Sequence, residues 1–289
     1  MELELLDKII PRLKQNSSVL TGPGDDCAVV EYAGKKMLFA VDQVIENIHF
    51  TADTPPERAG AKLVKRNLSD IAAMGGRPLW MMLTIANGYH GQEWLERFIS
   101  GVEDSSERYG VPVIGGDTSA LDKKSFAASI SICGEAARPV LRSGAIPGDT
   151  VYVTGLVGNS FLSEHHLDFE PHLKEGVFLA DYANAMMDIS DGLLLDIQRM
   201  AKASGADFII DTDTVPLREN AVLPQALSDG EDYGLILTCR PDIEISRTFR
   251  QDGFDVPLTA IGKVVSGSGK VRNSKDGLEF NLEKNGYEH

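Results

Sequence analysis

Basic residues are scarce: 28 Lys and Arg stand against 43 Asp and Glu, leaving a formal charge of −15 and an isoelectric point near 4.8. A surface of that sign repels nucleic-acid phosphate, and no basic run along the chain offsets it, so a nucleic-acid partner is not expected. Cysteine is nearly absent too. Cys27, Cys133 and Cys239 are scattered, with no CxxC spacing. They exclude a disulfide framework or thiolate zinc site and fit buried thiols in a reducing compartment. The most apolar stretch, Ile71 to Ala86, is too short to span a membrane and contains Arg77, and the acidic start Met1 to Asp7 lacks a signal peptide's basic region. The expected location is the cytoplasm, away from any membrane.

The common catalytic signatures are missing as well. The chain has no GxxxxGK[ST] loop, HRD or DFG set, HExxH, or GxSxG elbow. Gly22-Pro23-Gly24 is too short and rigid for a dinucleotide turn. His165, His166 and His172 fall in a polar stretch, where solvated rings are expected.

What is present is an ordinary globular balance, 43% hydrophobic and 25% charged over 289 residues, enough for two domains. Strand and helix patterns alternate. Met37–Val44, Pro78–Ala86, Val111–Ile114 and Ser125–Cys133 read as strands. A helix opens at Pro55-Pro56 and stops at Gly75-Gly76, and another runs from Glu93 to Gly110. A second set follows: strands at Thr150–Thr154, Ala185–Ile189, Phe208–Ile210, Leu235–Thr238 and Leu258–Val265, and a helix from Leu193 to Gly205. The expectation is a mixed α/β protein of two α/β domains, residues 1–137 and 138–289.

Acidic residues recur beside small ones at element ends: Gly24-Asp25-Asp26, Asn67-Leu68-Ser69-Asp70, Gly115-Gly116-Asp117, Asp188-Ile189-Ser190-Asp191 and Ser228-Asp229-Gly230-Glu231-Asp232. Asp42 lies inside a strand. Most have no Lys or Arg beside them. Two carboxylates 4 Å apart repel by roughly 4 kcal/mol at an effective dielectric of 20, so a cleft that gathers them calls for cations. Mg²⁺ suits such a cage, because it binds carboxylate oxygens together with water and substrate phosphates. Singly, each Asp reads better as a turn former or helix cap, and only the set points to a cation site.

Taken in order, GPGDD (22–26), VDQVIENIHF (41–50), KRNLSDIAAMGG (65–76), VIGGDTS (113–119), LRSGAIPGD (141–149), MDISDGLLLDI (187–197) and LSDGEDYGLIL (227–237) resemble the thiamine-monophosphate kinases. That family lies within the aminoimidazole-ribotide synthetase-like ATP-binding superfamily. The match is collinear from about residue 20 to Asn285-Gly286-Tyr287-Glu288-His289. The resemblance implies transfer of the ATP γ-phosphoryl group to thiamine monophosphate, made directly and assisted by several Mg²⁺ ions, with no covalent side-chain intermediate. It also implies a homodimer whose N-terminal strands form a shared barrel.

Carried over by position, Asp26, Asp42, Asp70, Asp117 and Asp188 match metal ligands, and Asp191 a ligand of an ATP-linked metal. Gly116 and Asp117 match the nucleotide-contacting pair, Arg142 a phosphate-binding arginine and Ser190 an ATP contact. His49, Glu231 and Tyr287 match thiamine-phosphate contacts. Two departures stand out. Ala40 and Val41 precede Asp42 where the family has hydroxyl residues, leaving the Val41 carbonyl as the local substitute ligand. The loop His166–His172 keeps only the first histidine and last proline of the family's stretch. Competing readings are another ATP-dependent enzyme of the superfamily and a non-catalytic nucleotide-binding relative.

Overall fold

Two mixed sheets, the first with helices on one face and the second with helices on both, are described by the computed structural model for Leu5 and residues 8–281. In chain order the first unit contains β1 (Val19–Thr21), β2 (Ala28–Tyr32), β3 (Lys35–Ile45), α1 (Pro56–Ala73), β4 (Arg77–Asn87), α2 (Gln92–Tyr109), β5 (Val113–Ala120) and β6 (Phe126–Glu135). Its sheet runs β1-β2-β3-β6-β4-β5, antiparallel except for the β4–β5 pair. The second unit contains β7 (Thr150–Thr154), α3 (His165–Asp168), α4 (Leu173–Ala180), β8 (Ala185–Asp188), α5 (Leu193–Ser204), β9 (Ala206–Ile210), α6 (Leu223–Ser228), β10 (Leu235–Cys239), α7 (Ile245–Gln251), β11 (Leu258–Ser266) and β12 (Val271–Asn273). Its order is β12-β9-β11-β7-β10-β8, with only β12–β9 parallel.

Helix α1 is the shared element. Proline at its first turn presets the helical φ, and Leu63, Val64, Leu68 and Ile71 are buried in the first unit's core. Each such side chain contributes about 1.5–3 kcal/mol on burial. Ala72 and Ala73, near its C-terminal end, pack instead with Leu179, Met186 and Leu237 of the second unit. Buried from both sides, α1 also carries Lys62, Lys65 and Arg66 into the interior. An unpaired buried charge costs several kcal/mol, so each of these cations needs a partner, and each has one. Lys65 donates to the Leu167 carbonyl at 2.7 Å and sits over the Phe169 ring; the other two partners belong to the cleft.

Periodicity located the long elements well. Gly110 and Gly205 adopt left-handed conformations at φ 67° and 63°, closing α2 and α5 where the sequence indicates. Two expectations fail. The strand expected at Val111–Ile114 is β5, which continues to Ala120 and so takes Gly115-Gly116-Asp117 into its interior. Glycine is needed there because a Cβ on Gly116 would lie 1.9 Å from the Leu83 carbonyl of the neighbouring strand. The histidines of the 165–172 loop are not solvated either. His166 is 4% exposed and stacks on Phe161, and burial pushes His165 and His172 down to about 4.

Among the described residues, no helix covers the far face of the first sheet. Phe39, Val41, Trp80 and Met82 are exposed on β3 and β4, in register with Ser131 and Cys133 of β6. Ile114 on β5 is 60% exposed and Val41 68%.

Candidate active site

Asp26 comes from the β1–β2 turn, Asp70 from the last turn of α1, and Asp188 from the end of β8. One carboxylate oxygen from each lies within 4.8 Å of the others. Burial, and then the neighbouring carboxylates, raise Asp70 and Asp188 well above the ordinary aspartate range. Burial raises Asp26 too, although Arg142 works against the shift. Arg142 donates to Asp26 Oδ1 at 2.6 Å, and Ser69 Oγ donates to Asp188 Oδ2 at 2.6 Å. Asp26 Oδ2 is buried without a hydrogen-bond partner. An orphaned carboxylate oxygen facing two more carboxylates is a donor set that fits a divalent cation such as Mg²⁺.

Around this cluster each wall has its own brace. Lys62, Arg66 and Asp70 follow one another every four residues, so α1 presents them as a single stripe towards the cleft. Lys62 Nζ, fully buried, donates to the His49 carbonyl and, at 2.7 Å, to Glu231 Oε2. Burial lowers Lys62 to about 8, and Glu231 opposes that shift. Arg66 donates to both oxygens of Asp42, at 2.8 and 3.1 Å. On the opposite wall, Asp196 accepts the backbone N–H groups of Ser190 and Asp191, fixing the turn before α5. Burial pushes Asp196 up to about 7, and Arg199 bridges it to Asp191 at 2.7 and 2.5 Å.

A cavity of about 360 Å³ opens beside the cluster, with His49, Arg66, Phe161, Ser190, Asp191 and Glu231 in its wall. His49 Nδ1 accepts the Ile45 N–H at 2.9 Å, which places the ring proton on Nε2. Glu231 and Tyr233 hold left-handed backbones at φ 63° and 51°, a strain of roughly 1–3 kcal/mol each. The strained loop is tied to the Ser190 turn by Glu231 N to Ser190 O and Tyr233 N to Ile189 O, at 2.7 and 2.8 Å. Gly192 permits this approach: its φ is 120°, and a Cβ would fall 2.8 Å from the Ser228 carbonyl.

Most residues singled out in the sequence therefore converge. Asp26, Asp70 and Asp188 form the cluster, with Arg142 on Asp26, and His49, Ser190, Asp191 and Glu231 line the cavity. Asp42 stands next to it, held by Arg66. Gly116 and Asp117 do not join them. From β3, which carries Asp42, to β5 is three strand spacings, about 14 Å. Asp117 is also in register with Thr84 and Ser129, whose hydroxyls meet on the uncovered face. The Val41 side chain points to that face as well, away from Asp42. Tyr287 lies outside the described residues.

Lys62, Arg66, Asp196, Arg199 and Phe161 were missed by sequence reasoning. For the first two a signal existed, since they precede Asp70 by eight and four residues. The expectation of carboxylates without nearby positive charge needs correcting. Arg142, Arg66 and Arg199, none adjacent in sequence to its partner, reach Asp26, Asp42 and Asp191.

Two family descriptions match the chain: AIR synthase related protein, N-terminal domain, over residues 24–136, and its C-terminal domain over residues 146–273. Thiamine-monophosphate kinase from Salmonella typhimurium is 32% identical over 321 aligned positions, covering 100% of this chain and 98% of that protein. The chain belongs to the thiamine-monophosphate kinase family. A family member from Rhodopirellula baltica is 33% identical, with 95% of this chain and 94% of the relative covered. Among solved structures, AaThiL complexed with AMPPCP and TMP superposes with a TM-score of 0.83 at 29% identity, over 99% of this chain and 95% of the other. The Aquifex aeolicus enzyme of the family gives 0.81 at 30% identity, covering 96% and 98% of the two chains.

The raised Asp70 sets a pH-dependent expectation. Because its folded pKa exceeds the unfolded one, its contribution is most favourable below the unfolded value and is lost as pH rises through the folded value. Asp70→Asn should therefore raise the metal-free melting temperature, with a larger gain at about pH 8 than at about pH 5, in scanning fluorimetry. A variant less stable than wild type at the higher pH would make Asp70 a structural residue instead.

Proposed function

We propose that the chain transfers the γ-phosphoryl group of ATP to thiamine monophosphate, giving thiamine diphosphate and ADP. The observation that carries this reading is the three-carboxylate cluster beside the cavity, in a chain aligned over its whole length with thiamine-monophosphate kinases. A terminal phosphate oxygen of thiamine monophosphate attacks the γ-phosphorus in line, and the β–γ bridging oxygen leaves with ADP. No side-chain nucleophile is needed.

Asp26, Asp70 and Asp188 would hold Mg²⁺, and Asp191 is assigned to an ion that accompanies ATP. Bound there, Mg²⁺ would supply positive charge to offset that of the phosphates. The chain's own groups position the rest. His49 Nε2–H is aimed at the acceptor phosphate, and Glu231, kept in place by Lys62, faces the cationic ring. Phe161 supplies an apolar wall for the heterocycle. Arg142 and Ser190 are assigned to the ATP phosphates, and Tyr287 stays assigned to the acceptor by resemblance. ATP as co-substrate and three buried free thiols support a cytoplasmic location. The end of β6 at Glu135 and the start of β7 at Thr150 support a domain division between residues 137 and 138.

We also propose that two copies pair through the uncovered face of the first sheet. Support comes from the exposed Phe39, Val41, Trp80, Met82 and Ile114, an apolar face that favours a partner over water. Asp117 of β5, in register with Thr84, would lie on the paired face.

With Mg²⁺, ADP release should require thiamine monophosphate. ADP formed equally fast without the acceptor, or none with it, would contradict the kinase reading. Glu231→Gln should raise KM for thiamine monophosphate about tenfold while leaving kcat within a few-fold, since it removes binding made alike in ground and transition states. Light scattering should give twice the chain mass at micromolar concentration, and Val41→Glu should give a monomer. A monomeric wild type would refute the pairing.

A further inference from the structure

Asp42 is matched to a metal ligand by resemblance, yet its surroundings do not fit one. Arg66 Nε donates to Oδ2 at 2.8 Å and Nη2 to Oδ1 at 3.1 Å, so both carboxylate oxygens already face a fixed cation. The guanidinium is locked from the other side as well, because Nη1 donates to the Gln43 carbonyl at 2.7 Å. The backbone N–H of Asp42 is held by Asn67 Oδ1 at 3.0 Å, which fixes the carboxylate relative to α1. Neither Ala40 nor Val41 offers a side-chain oxygen for another ligand. Asp42 is also absent from the group formed by Asp26, Asp70 and Asp188. A divalent ion on Asp42 would have to expel a side chain that is 8% exposed and clamped by three hydrogen bonds.

We propose that Arg66 is a tethered cation that occupies Asp42 in place of a divalent metal ion. The inference rests on the kinase reading and narrows it, confining the protein's own metal sites to the carboxylates that lack such a clamp. A guanidinium suits the position. It is always charged, it forks onto a carboxylate in a plane, and its five N–H groups exceed the three used here. Arg66 lines the cavity with His49 and Glu231, and its Nη1 stands 3.9 Å from Glu231 Oε1. It thus places positive charge where an acceptor phosphate would lie, independently of the metal concentration. Arg66 is a positioning and charge-neutralising residue that no motif reading assigns.

The test counts Mn²⁺ by the spin-resonance signal of the free ion, with the protein saturated by a non-hydrolysable ATP analogue. Asp42→Asn, nearly isosteric, should bind the same number of Mn²⁺ ions as wild type. Arg66→Ala should bind about one more per chain, because the freed carboxylate becomes a ligand, and the gain should vanish in Arg66→Ala with Asp42→Asn. Loss of an ion in Asp42→Asn would overturn the proposal, as would an unchanged count in folded Arg66→Ala. If Arg66→Ala does not fold, the Asp42→Asn arm decides alone. Wild type that binds no Mn²⁺ would instead overturn the metal-assisted reading on which the proposal rests.

Discussion

Three carboxylates from three separate elements, held within 4.8 Å of one another, are the constraint to which the rest of the cleft answers. In water such a group would disperse. Here the sheet end at Asp188, the helix end at Asp70 and the turn at Asp26 are fixed by the cores behind them, and burial raises the energy of the ionised state. The apo protein holds that electrostatic tension, which a bound cation would relieve. Its arginines are placed to limit the tension without discharging it. Arg142 takes one oxygen of Asp26 and leaves the other open.

Helix α1 converts packing into function. Its apolar side chains anchor it in the first unit, while its C-terminal alanines join the second unit's core. The stripe of Lys62, Arg66 and Asp70 is thereby held in the crevice between the two. One buried ammonium ties the His49 loop to Glu231, which belong to different units. The two residues assigned to the acceptor therefore keep their spacing only while the units stay docked. Strain in the Glu231 loop, with two non-glycine residues at positive φ, is tolerated because its backbone is stitched to the Ser190 turn.

How much of this was legible beforehand depended on the kind of signal. Long elements with strong periodicity, such as α1, α2 and β3, were readable because their patterns repeat over several turns or strand residues. The short helices α3, α4, α6 and α7 were not, because four to eight residues are too few for a pattern to declare itself. The carboxylates were readable from their small neighbours. Their counter-charges were not, since Arg199 meets Asp191 and Arg142 meets Asp26 only after folding, the latter across 116 positions. Asp117 illustrates the opposite limit. Its motif announced a site, but strand order and register turn it to the other face, away from the carboxylate cluster.

With substrates bound, positive charge is expected at the three clustered carboxylates as metal and at Asp42 as arginine. Anomalous scattering from crystals grown with Mn²⁺, a non-hydrolysable ATP analogue and thiamine monophosphate would locate it directly. Manganese density is expected among Asp26, Asp70 and Asp188, with the Arg66 pair at Asp42 intact. Density on Asp42 with Arg66 swung away, or none among the three carboxylates, would contradict this arrangement.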